Sequence, residues 1–279
     1  MTDIPKACVI GWPARHSRSP LIHRHWLKTY GIAGDYAIEE IAPEDFDAFL
    51  SGLSGHGYVG CNVTLPHKEA AARIVARRDG TAEKLKAVNT VWYEDGELVG
   101  ANTDVHGFLA NLDAGAPGWD GDLDRAVVLG AGGAARGIVH GLTTRGVTRI
   151  DVVNRTRDRA DALARDFGAS VVAHGWDAID AVLSGARLLV NTTSLGMRGK
   201  PPLTVDVSPL GRDAVVNDIV YVPLETDLLE AARARGLKTV DGLGMLLYQA
   251  VPGFERWFGP RPEVTPELRA ILVKDIEGS

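Results

Sequence analysis

Arg125-Ala126-Val127-Val128-Leu129, a short apolar strand pattern, runs directly into Gly130-Ala131-Gly132-Gly133-Ala134-Ala135, and helix-compatible residues 136–142 follow. The order is strand, tight turn, helix. In such a unit Gly130 permits the turn, Gly132 lets the backbone approach a pyrophosphate, and the small Ala135 allows the helix to pack close to the strand. The helix N-terminus then offers free N–H groups and a partial positive charge to an anion, with Ala131, Gly133 and Ala134 completing the expected cradle.

A glycine-rich string also occurs in plain turns, so the next strand decides. Residues 149–153 form it, and Asn154-Arg155-Thr156 follow, where an NAD-binding unit carries an acid for the ribose 2′-hydroxyl. Here an arginine and two neutral hydrogen-bonding side chains replace the acid, with Arg159 one turn on. That set suits a 2′-phosphate, hence NADP. A guanidinium–phosphate hydrogen bond contributes about 1.5–3 kcal/mol, so one good contact supports a preference of about ten- to a hundredfold. Ordinary solvated arginines at a strand end would not account for the missing acid.

Composition agrees with an α/β enzyme. The chain has 279 residues, enough for one large or two modest domains. Its net charge of −6 mixes both signs and indicates neither a nucleic-acid nor a membrane surface. Cys8 and Cys61 each sit in a short apolar run without a C-x-x-C, which argues against a disulfide framework or thiolate metal site. No histidine spacing makes a metal site, and residues 7–10 are too short an apolar stretch for a signal or a span. A cytoplasmic chain without metal is expected.

Strand and helix patterns alternate, which favours a mostly parallel sheet with helices on its faces. The first half reads as strand 7–10, helix 19–30, strand 36–41, helix 43–53, strand 59–65, and a helix beginning near Pro66. Residues 88–93 and 97–101 flank Asp95-Gly96, a hairpin signal. The nucleotide unit starts so late that the preceding hundred residues must form a domain of their own.

Three features of that domain suggest chemistry. In Ser17-Arg18-Ser19-Pro20, Ser19 fits an N-cap and Pro20 a first helical residue. Two hydroxyls beside a helix N-terminus also suit a carboxylate, and capping and anion binding both remain open. In Asn62-Val63-Thr64-Leu65-Pro66-His67-Lys68, Asn62 and Thr64 share one strand face while Val63 and Leu65 take the other. Lys68 enters the first turn of the next helix, against its dipole preference. That placement fits a functional amine or a stem reaching solvent. Asp104, after Asn102-Thr103, fits both the cap of a helix over 105–112 and a group facing a ligand beyond the strand ends.

Taken together the motifs resemble the shikimate dehydrogenase family: Ser17-x-Ser19-Pro20, Asn62-Val63-Thr64-x-Pro66-x-Lys68, Val88-Asn89-Thr90, Asn102-Thr103-Asp104, the glycine turn, Asn154-Arg155-Thr156, and Asp241-Gly242-Leu243-Gly244-Met245…Gln249. They span nearly the whole chain in order. The resemblance implies NADPH-dependent, reversible reduction of the C3 carbonyl of 3-dehydroshikimate to shikimate, on the way to chorismate and the aromatic amino acids. It implies Lys68 and Asp104 as the catalytic pair, Ser17 and Ser19 on the ring carboxylate with Tyr221 nearby, and Asn62, Thr64, Asn89 and Gln249 on ring hydroxyls. Gly242 would join the cofactor set.

The implied fold class is α/β: an N-terminal substrate domain (1–104), a Rossmann-type doubly wound NADP domain (105–244), and C-terminal helices (245–279) that complete the first domain. The active site would lie in an interdomain cleft. A monomer or a homodimer acting on a small molecule is expected. Arg18, His67, and Val105-His106 depart from common family residues and leave pocket polarity and substrate range open. Quinate or aminoshikimate dehydrogenases of the same superfamily are the alternative. An NAD-linked quinate enzyme is opposed by Asn154-Arg155-Thr156, and a folate-acting relative by the paired serines. A non-enzymatic NADPH sensor would not need Lys68 to approach Asp104.

Overall fold

The computed structural model describes residues 4–278, which divide into two compact units. The first comprises residues up to His106 together with Leu247–Lys274; the second comprises Gly107–Leu246 and the last residues from Asp275. Sequence reading places the boundaries at 104/105 and 244/245 and keeps 275–279 with the first domain. The contacts of that final stretch fall instead in the second unit, where Arg198 donates to the Ile276 carbonyl at 3.5 Å.

The first unit contains β1 (Lys6–Gly11), α1 (Ser19–Thr29), β2 (Asp35–Glu40), α2 (Phe46–Ser51), β3 (Gly60–Val63), α3 (Lys68–Ile74), β4 (Arg77–Arg78), α4 (Gly80–Leu85), β5 (Thr90–Glu94) and β6 (Glu97–Ala101). Helix α5 (Asp104–Gly115) leads out of it. The sheet order is β2-β1-β3-β5-β6-β4. Strands β1, β2 and β3 are parallel, and β5 runs antiparallel to both β3 and β6. The β5–β6 hairpin turns at Asp95 and Gly96, both with positive φ (53° and 82°), the backbone that an Asp-Gly type I′ turn requires.

Three segments are shorter than the sequence pattern suggests. Helix 43–53 shrinks to α2, because Asp45 N–H closes a turn onto Ala42 O at 3.0 Å before the helix begins. The strand expected over 59–65 stops at Val63, which leaves Leu65 at 73% exposure rather than buried beside Val63. His67 N–H then closes a turn onto Thr64 O at 3.0 Å, so α3 starts at Lys68 and not at Pro66. The first unit's two sheet faces carry separate cores, one with Cys8, Ile10, Cys61 and Val63, the other with Ala7, Val9, Tyr36 and Trp257. Burial pushes both thiols up, which keeps them inert.

The second unit follows with β7 (Arg125–Leu129), α6 (Gly133–Thr144), β8 (Arg149–Asn154), α7 (Arg157–Phe167), β9 (Val171–Gly175), α8 (Ile179–Leu183), β10 (Leu188–Asn191), β11 (Val215–Asp218), α9 (Asp227–Ala234) and β12 (Lys238–Val240). Helices α10 (Leu243–Phe258) and α11 (Pro266–Gly278) complete the chain. All six strands are parallel in the order β12-β11-β10-β7-β8-β9. Along β7, Ala126 and Val128 enter one core while Val127 and Leu129 enter the other. The strand, apolar from Ala126 to Leu129, is thus buried on both faces, as parallel sheets demand. Strand β11 ends at Asp218, the point where that carboxylate turns inward.

Candidate active site

Lys68 opens α3 and Asp104 opens α5, and the two side chains meet: Lys68 Nζ donates to Asp104 Oδ2 at 2.5 Å. Each is about a quarter exposed, so the pair is reachable by solvent without being loose on the surface. Asp104 Oδ1 accepts from Asn89 Nδ2 at 2.8 Å. The carboxylate is thereby oriented by an amide and an ammonium, while the Asp104 N–H is held by Asn102 Oδ1 at 3.2 Å.

Asn89 is itself fixed. Its Oδ1 accepts from Thr103 N–H at 2.8 Å and from Thr90 Oγ1 at 3.1 Å. Thr103 Oγ1 donates to the Gln249 carbonyl at 2.8 Å, which fastens α10 beside the pair. Asn62 uses both of its N–H groups, on Asn89 O and Thr90 Oγ1, and its Oδ1 accepts from Tyr36 at 2.6 Å. By donor inventory, Asn62 retains one acceptor lone pair and Asn89 one N–H for a ligand hydroxyl. Sequence reading missed Tyr36, for which a tyrosine inside a buried strand is the one signal, and named Thr103 only as part of the Asn102-Thr103-Asp104 motif.

Asn62 projects to the Tyr36 face and Val63 to the opposite core, as alternation predicts. Thr64 is half-buried just beyond β3. Ser19 corrects the sequence reading: it lies inside α1, whose N-cap is Arg18 with no side-chain cap bond. The capping task falls to Ser17, whose Oγ accepts from Ser19 N–H at 3.3 Å, and the buried Ser19 hydroxyl bonds the Tyr36 side chain. His67 is buried, stacked on Phe46 at 4.2 Å with Nε2 against the Ile41 carbonyl at 2.8 Å.

In the second unit Gly130 has φ +104°, and a Cβ there would lie 2.7 Å from Thr192 Oγ1. Around Gly132 and Gly133 a Cβ would meet nothing within 4 Å, so the cradle is open where a pyrophosphate would press against backbone. Ala131 and Ala134 flank these glycines, and Ala135 is fully buried. Arg155, Thr156 and Arg159 are exposed, and Asn154 Nδ2 holds the Thr156 carbonyl at 2.7 Å, which shapes the loop. A pocket of about 400 Å³ opens beside them, lined by Asn154, Arg155, Trp176, Thr193 and Leu203 among others. These residues fit a dinucleotide with a 2′-phosphate. Gly242 packs closely against backbone, a Cβ there falling 2.2 Å from Ile219 O. Tyr221 is half-buried past the end of β11. Among the described residues no group of three His, Cys, Asp or Glu is placed to hold a metal, and no helix is long and apolar enough to cross a membrane.

A doubly wound sheet with an open glycine turn, and a further α/β unit bearing a hydrogen-bonded lysine–aspartate pair, define the class: a nucleotide-dependent α/β oxidoreductase. Residues 9–91 match the shikimate dehydrogenase substrate binding domain, and residues 120–196 match the shikimate / quinate 5-dehydrogenase family. The chain is 60% identical to a shikimate dehydrogenase (NADP(+)) of Rhodopseudomonas palustris, over 99% of each chain. It superposes with TM-score 0.84 and 35% identity on a Thermus thermophilus shikimate 5-dehydrogenase in complex with NADP(H) and shikimate, covering 98% and 100% of the two chains. A quinate dehydrogenase of Corynebacterium glutamicum in complex with NAD gives TM-score 0.88 at 34% identity, covering 97% and 99%. The chain belongs to the shikimate dehydrogenase family.

Proposed function

We propose that this protein catalyses the reversible, NADPH-dependent reduction of the C3 carbonyl of 3-dehydroshikimate to shikimate. The observation that carries the reading is the 2.5 Å contact between Lys68 Nζ and Asp104 Oδ2, braced by Asn89. Bound NADPH supplies hydride to the carbonyl carbon. The carbonyl oxygen then gathers negative charge, which calls for a cation or proton donor at that atom. Lys68 gives its Nζ proton to that oxygen, and Asp104 holds the amine in place through their hydrogen bond. In the oxidative direction the Lys68 amine takes the proton from the C3 hydroxyl.

The remaining side chains bind and orient. Ser17 and Ser19 hold the ring carboxylate at the start of α1, with Tyr221 near the same group. Asn62 accepts from one ring hydroxyl, Asn89 donates to another through its second N–H, and Thr64 and Gln249 complete the ring contacts. The turn at Gly130, Ala131, Gly132, Gly133 and Ala134 takes the pyrophosphate. Asn154, Arg155, Thr156 and Arg159 take the 2′-phosphate, and Gly242 lies with the cofactor set. Residues 1–104 with 245–274 serve the carboxylate substrate, and the second unit serves NADP. The unpaired buried thiols Cys8 and Cys61 fit a reducing cytoplasm, and the chain works there as a monomer or homodimer.

The likeness to an NAD-linked quinate dehydrogenase favours a second reading, in which quinate is oxidised with NAD. Arg155 in place of an acid opposes it. An absorbance assay of NADPH formation separates the two: shikimate with NADP turns over fastest. Turnover of quinate with NAD, and none of shikimate with NADP, overturns the first reading.

A further inference from the structure

Asp218 is the last residue of β11, and it is fully buried. Its Oδ1 accepts from Asn191 Nδ2 at 2.9 Å and from Val220 N–H at 3.0 Å, and its Oδ2 accepts from Thr226 Oγ1 at 2.8 Å. Every one of these donors is neutral, and no lysine or arginine joins them among the described residues. The contrast is Asp151, equally buried, which gathers Arg125, Arg149 and His174. Burial raises the Asp218 carboxyl above its ordinary range, while the three hydrogen bonds favour the charged form.

An isolated buried charge is costly unless something positive offsets it. The partners of Asp218 show where that offset could come from. Asn191 ends β10, and its Oδ1 collects the Thr193 N–H at 3.0 Å and hydroxyl at 2.8 Å. Thr226 caps α9. The carboxylate therefore sits directly beneath the two strand-end loops that run through residues 192–195 and 219–221. In a sheet of this order the dinucleotide lies across the carboxyl ends of the strands, one half on each side of the switch between β7 and β10. The β7–β9 side carries the glycine turn and Arg155, so it takes the adenosine half. The β10–β12 side, where Asp218 lies, takes the nicotinamide.

The nicotinamide ring is positively charged when oxidised and neutral when reduced. We propose that Asp218 is a positioning residue whose unpaired carboxylate weights this unit toward oxidised over reduced cofactor. An asparagine could tie the same loops, so the charge is what the structure adds. The inference rests on the NADP reading above.

The test measures dissociation constants of NADP+, NADPH and 2′-phospho-ADP-ribose, which lacks the ring, for the full chain and for Asp218→Asn, by calorimetric titration. Asp218→Asn weakens NADP+ relative to NADPH by roughly three- to tenfold and leaves the ring-less fragment unchanged. An unchanged NADP+/NADPH ratio, or equal weakening of all three, reduces Asp218 to a structural tie and overturns the proposal. If Asp218→Asn does not fold, Asp218→Ser, which also removes the charge, takes its place with the same expected ratio. A wild-type chain that binds neither dinucleotide overturns the NADP reading itself, and with it this one.

Discussion

Asn89 holds Asp104 by one carboxylate oxygen, at 2.8 Å, and leaves the other to Lys68. The pair is thus aimed from below by a residue whose own carbonyl is tied to the backbone of Thr103. Lys68→Ala removes the proton donor without touching the serines or the glycine turn. Turnover falls by about a hundredfold or more, while calorimetric affinities for shikimate and NADP stay within a few fold. Near-normal turnover takes Lys68 out of the mechanism.

Arg155 stands exposed just after β8, in the place where an NAD-binding unit carries an acid. Arg155→Ala lowers the preference for NADP over NAD by about ten- to a hundredfold. The ratio of kcat/KM for the two dinucleotides reads this directly, and an unchanged ratio moves the 2′-phosphate elsewhere.

His23 is fully buried, stacked on Tyr36 at 4.1 Å, with neither ring nitrogen hydrogen-bonded. Burial pushes it from 6.5 down to about 3. Folded, it stays neutral; unfolded, it takes a proton below about pH 6.5. Its contribution is full above that pH and declines by about 1.4 kcal/mol per pH unit as the medium is acidified toward the folded value. His23→Leu flattens the curve, with about 2–3 kcal/mol less loss between pH 7.5 and 4.5 in urea unfolding. Parallel curves for the two proteins contradict the assignment.

Asp151 is the opposite case. Burial works to raise its carboxyl, but hydrogen bonds from Arg149, Arg125 and His174 overcome this and hold it below the ordinary value. The stability it confers is complete above the unfolded carboxyl value near pH 4 and drains away as pH falls through the lower folded one. Asp151→Asn at neutral pH leaves Arg125 inadequately paired and costs about 2–4 kcal/mol. Thermal unfolding of the two proteins at pH 7 and pH 3 should converge at the acid end.

The local units were readable because their signals are short-range. The run from Arg125 to Ala135 dictates a strand, a turn and a close-packed helix whatever surrounds it, and Asp95-Gly96 dictates its hairpin. Strand order was not readable, since β5 lies antiparallel to β3 through pairs such as Gly60 with Trp92 and Asn62 with Thr90, far apart in sequence. The helix expected at Pro66 begins at Lys68 because a turn between Thr64 and His67 intervenes. In the site, single residues such as Lys68 stood out by type and place. Networks did not: the hydrogen bonds that fix Asn62 come from Tyr36 and Thr90, which no local spacing links to it. Asp218 went unmarked in the sequence, where it follows Val215-Val216-Asn217 as an ordinary strand end, and only coordinates show it buried with neutral donors.

Trp257 Nε1 donates to the Val91 carbonyl at 2.9 Å, Trp26 Nε1 to the Glu263 carbonyl at 2.9 Å, and Gly60 lacks a Cβ where the Trp257 ring packs. The first unit therefore closes only with residues from 247 onward: a chain truncated before residue 247 lacks the Trp257 ring, leaves the Tyr36 face of the sheet uncovered, and presents that face to chaperones.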